Sequence, residues 1–148
     1  MAFRWRGLPE FDKGLKEAQK RFHVAVRAGV TQTTAEVQGR SQKYAPVDEG
    51  TLRASHSYFV DGKFIAEAPP DTRGRRPANR SGGIETRRRT GQIRGVVGAN
   101  VPYAAVQHEA ESYRHPKGGR AKFLEQALRE VLPRVQNVIQ KHVRRGGF

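Results

Sequence analysis

With 148 residues, 36% hydrophobic and 28% charged, the chain is long enough for one modest core and short for two. It has no cysteine, which excludes disulfides and thiolate metal sites, and no run near the ~18 apolar residues of a membrane span. A formal net charge of +14 suits nucleic acid, an anionic membrane surface or an acidic protein without choosing among them. The opening Met-Ala-Phe-Arg-Trp-Arg-Gly lacks the apolar stretch of a secretory signal, so the expectation is a soluble protein that meets no membrane.

A single domain is expected, with residues 1–8 as an arm. There Phe3 and Trp5, beside Arg4 and Arg6, suit stacking on bases or, preferably, anchoring on a neighbouring subunit. Residues 9–44 read as a long amphipathic helix. Pro9 fits a first turn, and Asp12 and Glu17 complement the positive end of the helix dipole. Phe11, Leu15, Ala18, Phe22, Ala25, Val26, Gly29, Thr33, Val37 and Tyr44 fall in one stripe at about 100° per residue. That stripe is expected to be core, with any apolar surplus becoming subunit interface. Gly14, Gly29 and Gly39 each weaken a helix by roughly 1 kcal/mol relative to alanine, which predicts a break or bend. Pro46 disfavours helical geometry at Ala45 and should end the helix near Tyr44.

From Thr51 the period becomes two: Leu52, Ala54, His56, Tyr58 and Val60 alternate with Arg53, Ser55, Ser57 and Phe59. Asp61-Gly62 and a second alternating run follow, so residues 51–68 read as a hairpin whose turn exploits glycine's access to positive φ. Residues 69–91 have almost nothing to bury. They carry seven arginines (Arg73, Arg75, Arg76, Arg80, Arg87, Arg88 and Arg89) against Asp71 and Glu85, and read as a loop unable to offset its own ordering entropy. A strand is expected over 92–104, with Gly95 and Gly98 marking bulges or a close backbone approach. After an irregular stretch a second helix is expected over 120–143, kinked or split at Pro133, with 144–148 a frayed basic tail.

Three pieces recur together. The first is Ala45-Pro46-Val47-Asp48-Glu49-Gly50-Thr51-Leu52-Arg53-Ala54-Ser55, the second Val97-Gly98-Ala99-Asn100-Val101-Pro102-Tyr103-Ala104, and the third Ala121-Lys122-Phe123-Leu124-Glu125-Gln126-Ala127-Leu128. With Gln107-His108-Glu109 between the last two, the chain resembles the head–tail connector and tail-completion proteins of long-tailed phages over roughly residues 10–140. Glu49 stands where that pattern more often has threonine, and the arginine-rich segment departs from it. Physically, Pro46 stops a helix, Asp48 can accept backbone N–H groups of the turn or pair with Arg53, Gly50 permits a sharp exit, and Leu52 points to the core. These read as fold-defining residues.

The resemblance implies an α+β fold: long N- and C-terminal helices on one face of a small, mainly antiparallel sheet, with a long arginine-rich loop. It implies a structural virion protein, assembled in the host cytoplasm, that forms a ring at the neck and completes the head–tail joint around the DNA channel. Its expected partners are its own copies (six by family), a neck adaptor or portal-side ring, the tail terminator or tail tube, and genomic DNA in the channel. A tail terminator or minor capsid component is the alternative within that class, and a stand-alone nucleic-acid-binding protein the alternative outside it.

No catalytic constellation competes. His108, Glu109, Glu111 and His115 follow His-Glu-x-Glu-x-x-x-His, without the i, i+4 imidazoles of a zinc helix. The glycine-rich pieces lack the order of a phosphate cradle, and no pair of groups is placed for acid–base work. The expectation is no enzyme, no cofactor and no metal, with Trp5, Tyr103, His108, Glu109 and His115 as candidate interface residues. The seven arginines would meet DNA phosphates, an acidic face of a neighbouring ring, or only solvent.

Overall fold

The structure, a computed structural model, describes residues 7–47, 50–70, 84 and 91–148. Trp5, Asp48 and the seven loop arginines lie outside the described residues. In chain order the elements are α1 (Leu8–Tyr44), α2 (Thr51–Ala54), β1 (His56–Val60), β2 (Lys63–Glu67), β3 (Gly95–Ala99), α3 (Ala104–Glu109) and α4 (Phe123–Arg145). The α+β expectation holds.

α1 is one continuous helix of 37 residues, about 55 Å long. Gly7, with φ 98°, precedes it, and Pro9 sits in its first turn. The expected break does not occur. Gly29 is where α4 crosses: a Cβ there would lie 2.8 Å from the Ile139 Cα, so close helix packing offsets the weak propensity. α4 runs antiparallel to α1, since Val37 clusters with Val131, Gly29 meets Ile139 and Ala25 meets Gly146. Because α4 ends there, the apolar stripe of α1 is core only from Ala25 onward. Leu8, Phe11, Leu15 and Phe22 are exposed, so the expectation of core holds only for the second half of the stripe and the first half is the apolar surplus.

The sheet has the order β2-β1-β3 with both pairings antiparallel. The hairpin forms as read: Asp61 and Gly62 take φ of 52° and 75°, the positive pair of a primed two-residue turn. Tyr58 pairs with Ala66 and Phe59 with Phe64, leaving Ile65 as the extra residue of a bulge. Asp61 is itself buried. Its carboxylate accepts the Arg94 N–H at 3.0 Å and lies 3.6 Å from Arg27 Nε, tying the turn to the approach of β3 and to α1. Gly95 allows Thr34 of α1 to press on β3, and Gly98 does the same for Ile84, as the close-approach reading supposed.

Three boundaries are corrected. Thr51–Ala54 is a helical turn rather than the start of a strand: the Ala54 N–H bonds the Gly50 carbonyl at 2.9 Å and the Ser55 N–H bonds that of Thr51 at 3.0 Å. Local bonds won there because Gly50, at φ 87°, starts the turn. The last strand covers only Gly95–Ala99, and the chain then bonds Asn100 N–H to the Ser55 carbonyl and turns into α3. α4 passes through Pro133 unsplit and takes in Arg144 and Arg145; Pro133 is on the exposed side, where water can satisfy the carbonyl left without a donor.

Candidate functional site

The fold-defining residues converge on one corner, where α1 ends. Arg53, on α2, turns back and donates Nε to the Ala45 carbonyl and Nη2 to that of Lys43, both at 3.0 Å. It therefore caps the negative end of α1 with a cation, a favourable placement for the helix dipole. From the far end of the chain, the segment before α4 clasps the same corner. Val47 N–H bonds the Gly118 carbonyl at 3.1 Å, and Arg120 N–H bonds that of Tyr44 at 2.9 Å. Gly119 has φ 96° and lies so close to Pro46 that a side chain would strike its backbone. The Arg120 guanidinium covers the Tyr44 ring, 4.6 Å from its centroid.

Under this corner lies an apolar cluster of Ala45, Leu52, Ala104 and Phe123. Phe123 is fully buried between two imidazoles, with ring centroids 5.6 Å from His56 and 4.9 Å from His108. His56 Nδ1–H donates to the Leu52 carbonyl at 2.9 Å, while Nε2 is buried without a partner among the described residues. Burial pushes the His56 pKa down to about 4, so the ring is neutral at pH 7.

Outside the cluster, His108 Nδ1–H donates to Glu109 Oε1 at 2.8 Å, and Lys122 pairs with the other oxygen of the same carboxylate. The Lys122 hydrogen bond, then that of His108, holds the Glu109 carboxyl below its usual range; Glu109 in turn raises Lys122. Glu109 is therefore an ionised tether between α3 and the start of α4, not a proton donor. His115 instead lines a cleft of about 530 Å³ together with Pro46, Gly50, Leu52, Tyr103 and Arg114. Five of the residues singled out from sequence, Pro46, Gly50, Leu52, Tyr103 and His115, thus line one cleft. His108 and His115 do not share a ligand geometry: among the described residues no group of three or more His, Asp or Glu side chains could hold a metal ion.

A second polar clasp joins the helices. Tyr44 Oη–H and Arg40 Nη1 both donate to Glu130 Oε2, at 2.6 and 2.8 Å, and Arg40 and Arg134 share Glu36 at 3.2 and 2.5 Å. The Tyr44 hydroxyl, ahead of Gln126 and Arg40, lowers the Glu130 pKa. Periodicity did not reveal Tyr44, Lys122, Gly119 or Phe123 as parts of the corner. The adjacent Gly118-Gly119 pair was the one available signal, since two successive positive φ values demand such residues.

Charges and hydrogen bonds at this corner hold three chain segments together. Residues 9–108 match the HK97 gp10-like family of bacteriophage tail components, and the chain belongs to that family. The match runs from α1 through α3 and stops before α4. It is a family of structural phage tail components. No curated protein and no solved structure matches the chain.

Proposed function

We propose that the 148-residue chain acts as one domain, copies of which close into a ring at the phage neck and complete the head–tail joint around the DNA channel. The observation that carries this reading is the uncovered stripe Leu8, Phe11, Leu15 and Phe22 on a member of a tail-component family. An apolar stripe left largely exposed among the described residues is a surface for association. Heterologous contacts between copies close into rings when the rotation allows. Six copies would match the symmetry of the tail. A net charge of +14 favours a place around DNA or against acidic neighbours, and the seven arginines of the 69–91 segment would supply those contacts.

Cryo-electron microscopy of intact particles tests the reading: density at the neck should accept this chain in a closed ring. Replacing the seven arginines should leave the protein folded and yield unjoined heads and tails; normal particles would overturn an assembly role for that segment. The charge also favours a second reading, a stand-alone nucleic-acid binder. That reading requires duplex binding by the isolated chain with log K falling steeply against log salt, and absence from virions.

A further inference from the structure

A groove runs along a flank of α1 that turns away from the bare stripe. Val24 follows Phe22 by two residues, which places it about 160° around the helix, and it is 60% exposed. With Ala25, Ala28 and Gly146 it floors a groove of about 790 Å³ between the middle of α1 and the end of α4. Lys20, Arg21 and Arg145 stand around that floor, and Glu17 is the one acidic side chain among the described lining residues. Many cations of the molecule are matched, as Arg27 is by Asp61, Arg40 by Glu130 and Arg134 by Glu36. Here they are not. Lys20, Arg145 and the adjoining Lys141 and Arg144 have no carboxylate partner among the described residues, and Arg21 meets the Phe148 ring at 5.7 Å. The dipole of α4 favours Arg144 and Arg145 in its last turn, but Lys20 and Arg21 lie in the interior of α1, where no helix end calls for charge.

We infer that this groove receives an acidic segment of another virion protein, one that carries an apolar side chain among its carboxylates. Like charges gathered in one place repel one another, and an anion set among them is attracted by all at once. Arg21 and Arg145 can each grip a carboxylate through two parallel N–H groups. The floor narrows the choice of anion. Duplex DNA is a stiff rod that offers phosphates to protruding cations and would leave Val24 and Ala28 uncovered. A segment with carboxylates on either side of an apolar residue satisfies walls and floor together, and covering Val24 adds the gain of apolar burial. A second copy is a poor occupant, since a chain of net charge +14 brings mostly like charge. The inference deepens the neck reading by naming the chemistry of one contact, and rests on it only for the source of the segment.

A labelled synthetic peptide of Glu-Leu-Glu-Asp repeats should bind the full chain, as read by fluorescence anisotropy. Replacing its leucines by serine keeps the charge and should weaken binding about fivefold. Lys20→Glu with Arg145→Glu should weaken it about tenfold, whereas Lys63→Glu with Arg114→Glu, the same change of charge away from the groove, should weaken it less than about twofold. Val24→Ser should weaken the leucine peptide and leave the serine peptide as it was. All five side chains are exposed, so the melting temperature should hold. Equal losses in the two charge-reversed pairs, or a serine peptide that binds as well as the leucine one, would overturn the proposal as mere attraction to a basic chain. Duplex DNA whose binding depends on Lys20, Arg145 and Val24 more than the peptide's does would overturn it in favour of nucleic acid. In particles carrying a photo-crosslinking residue in place of Val24, the crosslink should map to an acidic stretch of another virion protein; a crosslink to a second copy, or none, would overturn it. That crosslink in particles where this chain forms no closed ring would discard the ring and keep the groove.

Discussion

The two halves of α1 carry one apolar stripe in opposite circumstances. From Ala25 to Tyr44 the helix is covered by α4 and the sheet, clasped by Arg40, Tyr44 and Glu130, and capped by Arg53. From Leu8 to Val24 its apolar residues stand in solvent, among the described residues touched chiefly where Phe148 meets Phe22 edge-on at 5.6 Å. One continuous hydrogen-bonded rod thus serves as core at one end and as surface at the other. The same stripe is buried or exposed according to where α4 stops.

The sharpest way to break this comparison is to truncate one aromatic in each region. Phe123→Ala should cost about 3–5 kcal/mol, because a fully buried ring between two imidazoles leaves a cavity. Phe11→Ala should change the unfolding free energy of the monomer by under ~0.5 kcal/mol and show its effect in assembly alone. Chemical denaturation separates the two.

Acid comes next. His56 titrates near 4 when folded and near 6.5 when unfolded, so between these values the unfolded chain binds the extra proton. Stability should therefore be full above pH 6.5 and fall by about 3 kcal/mol as the pH drops to 4. His56→Gln should flatten that window. Glu109 and Glu130, held below the usual carboxylate range, lose their contributions only at lower pH.

A matched glycine pair gives a smaller contrast, of opposite sign. Gly29→Ala should destabilise by about 1–3 kcal/mol, since the new methyl meets the backbone of Ile139. Gly14→Ala, with open space around it, should stabilise by ~0.5–1 kcal/mol. Thermal melts of the two variants should move in opposite directions. Tyr44→Phe, which removes one hydroxyl from Glu130, should cost about 1 kcal/mol in the same melts.

Much of the architecture was readable from local chemistry. Pro46 ended the helix, Asp61-Gly62 made the turn, and the stripe from Phe123 to Ile139 marked α4. What escaped depended on partners distant in sequence. Nothing around Gly29 announces that Ile139 will need its space, so a local reading sees only a weak helix residue. Thr51–Ala54 fits alternation and a helical turn equally well, and Gly50 decided between them. The corner was half legible. Pro46, Gly50, Leu52 and Arg53 were read as fold-defining, but the role of Arg53 on the carbonyls of α1 emerges only once the chain has turned back.

The clasp of Gly118 and Arg120 on Val47 and Tyr44 also sets a timetable. Its two segments lie 71 and 76 residues apart, so during synthesis the corner stays unlatched until that whole intervening stretch has left the ribosome. Phe123, the plug of that corner, arrives at the same late moment. A nascent copy thus lacks this corner until residues 118–123 have emerged, and anything that reads the corner meets it only from then on.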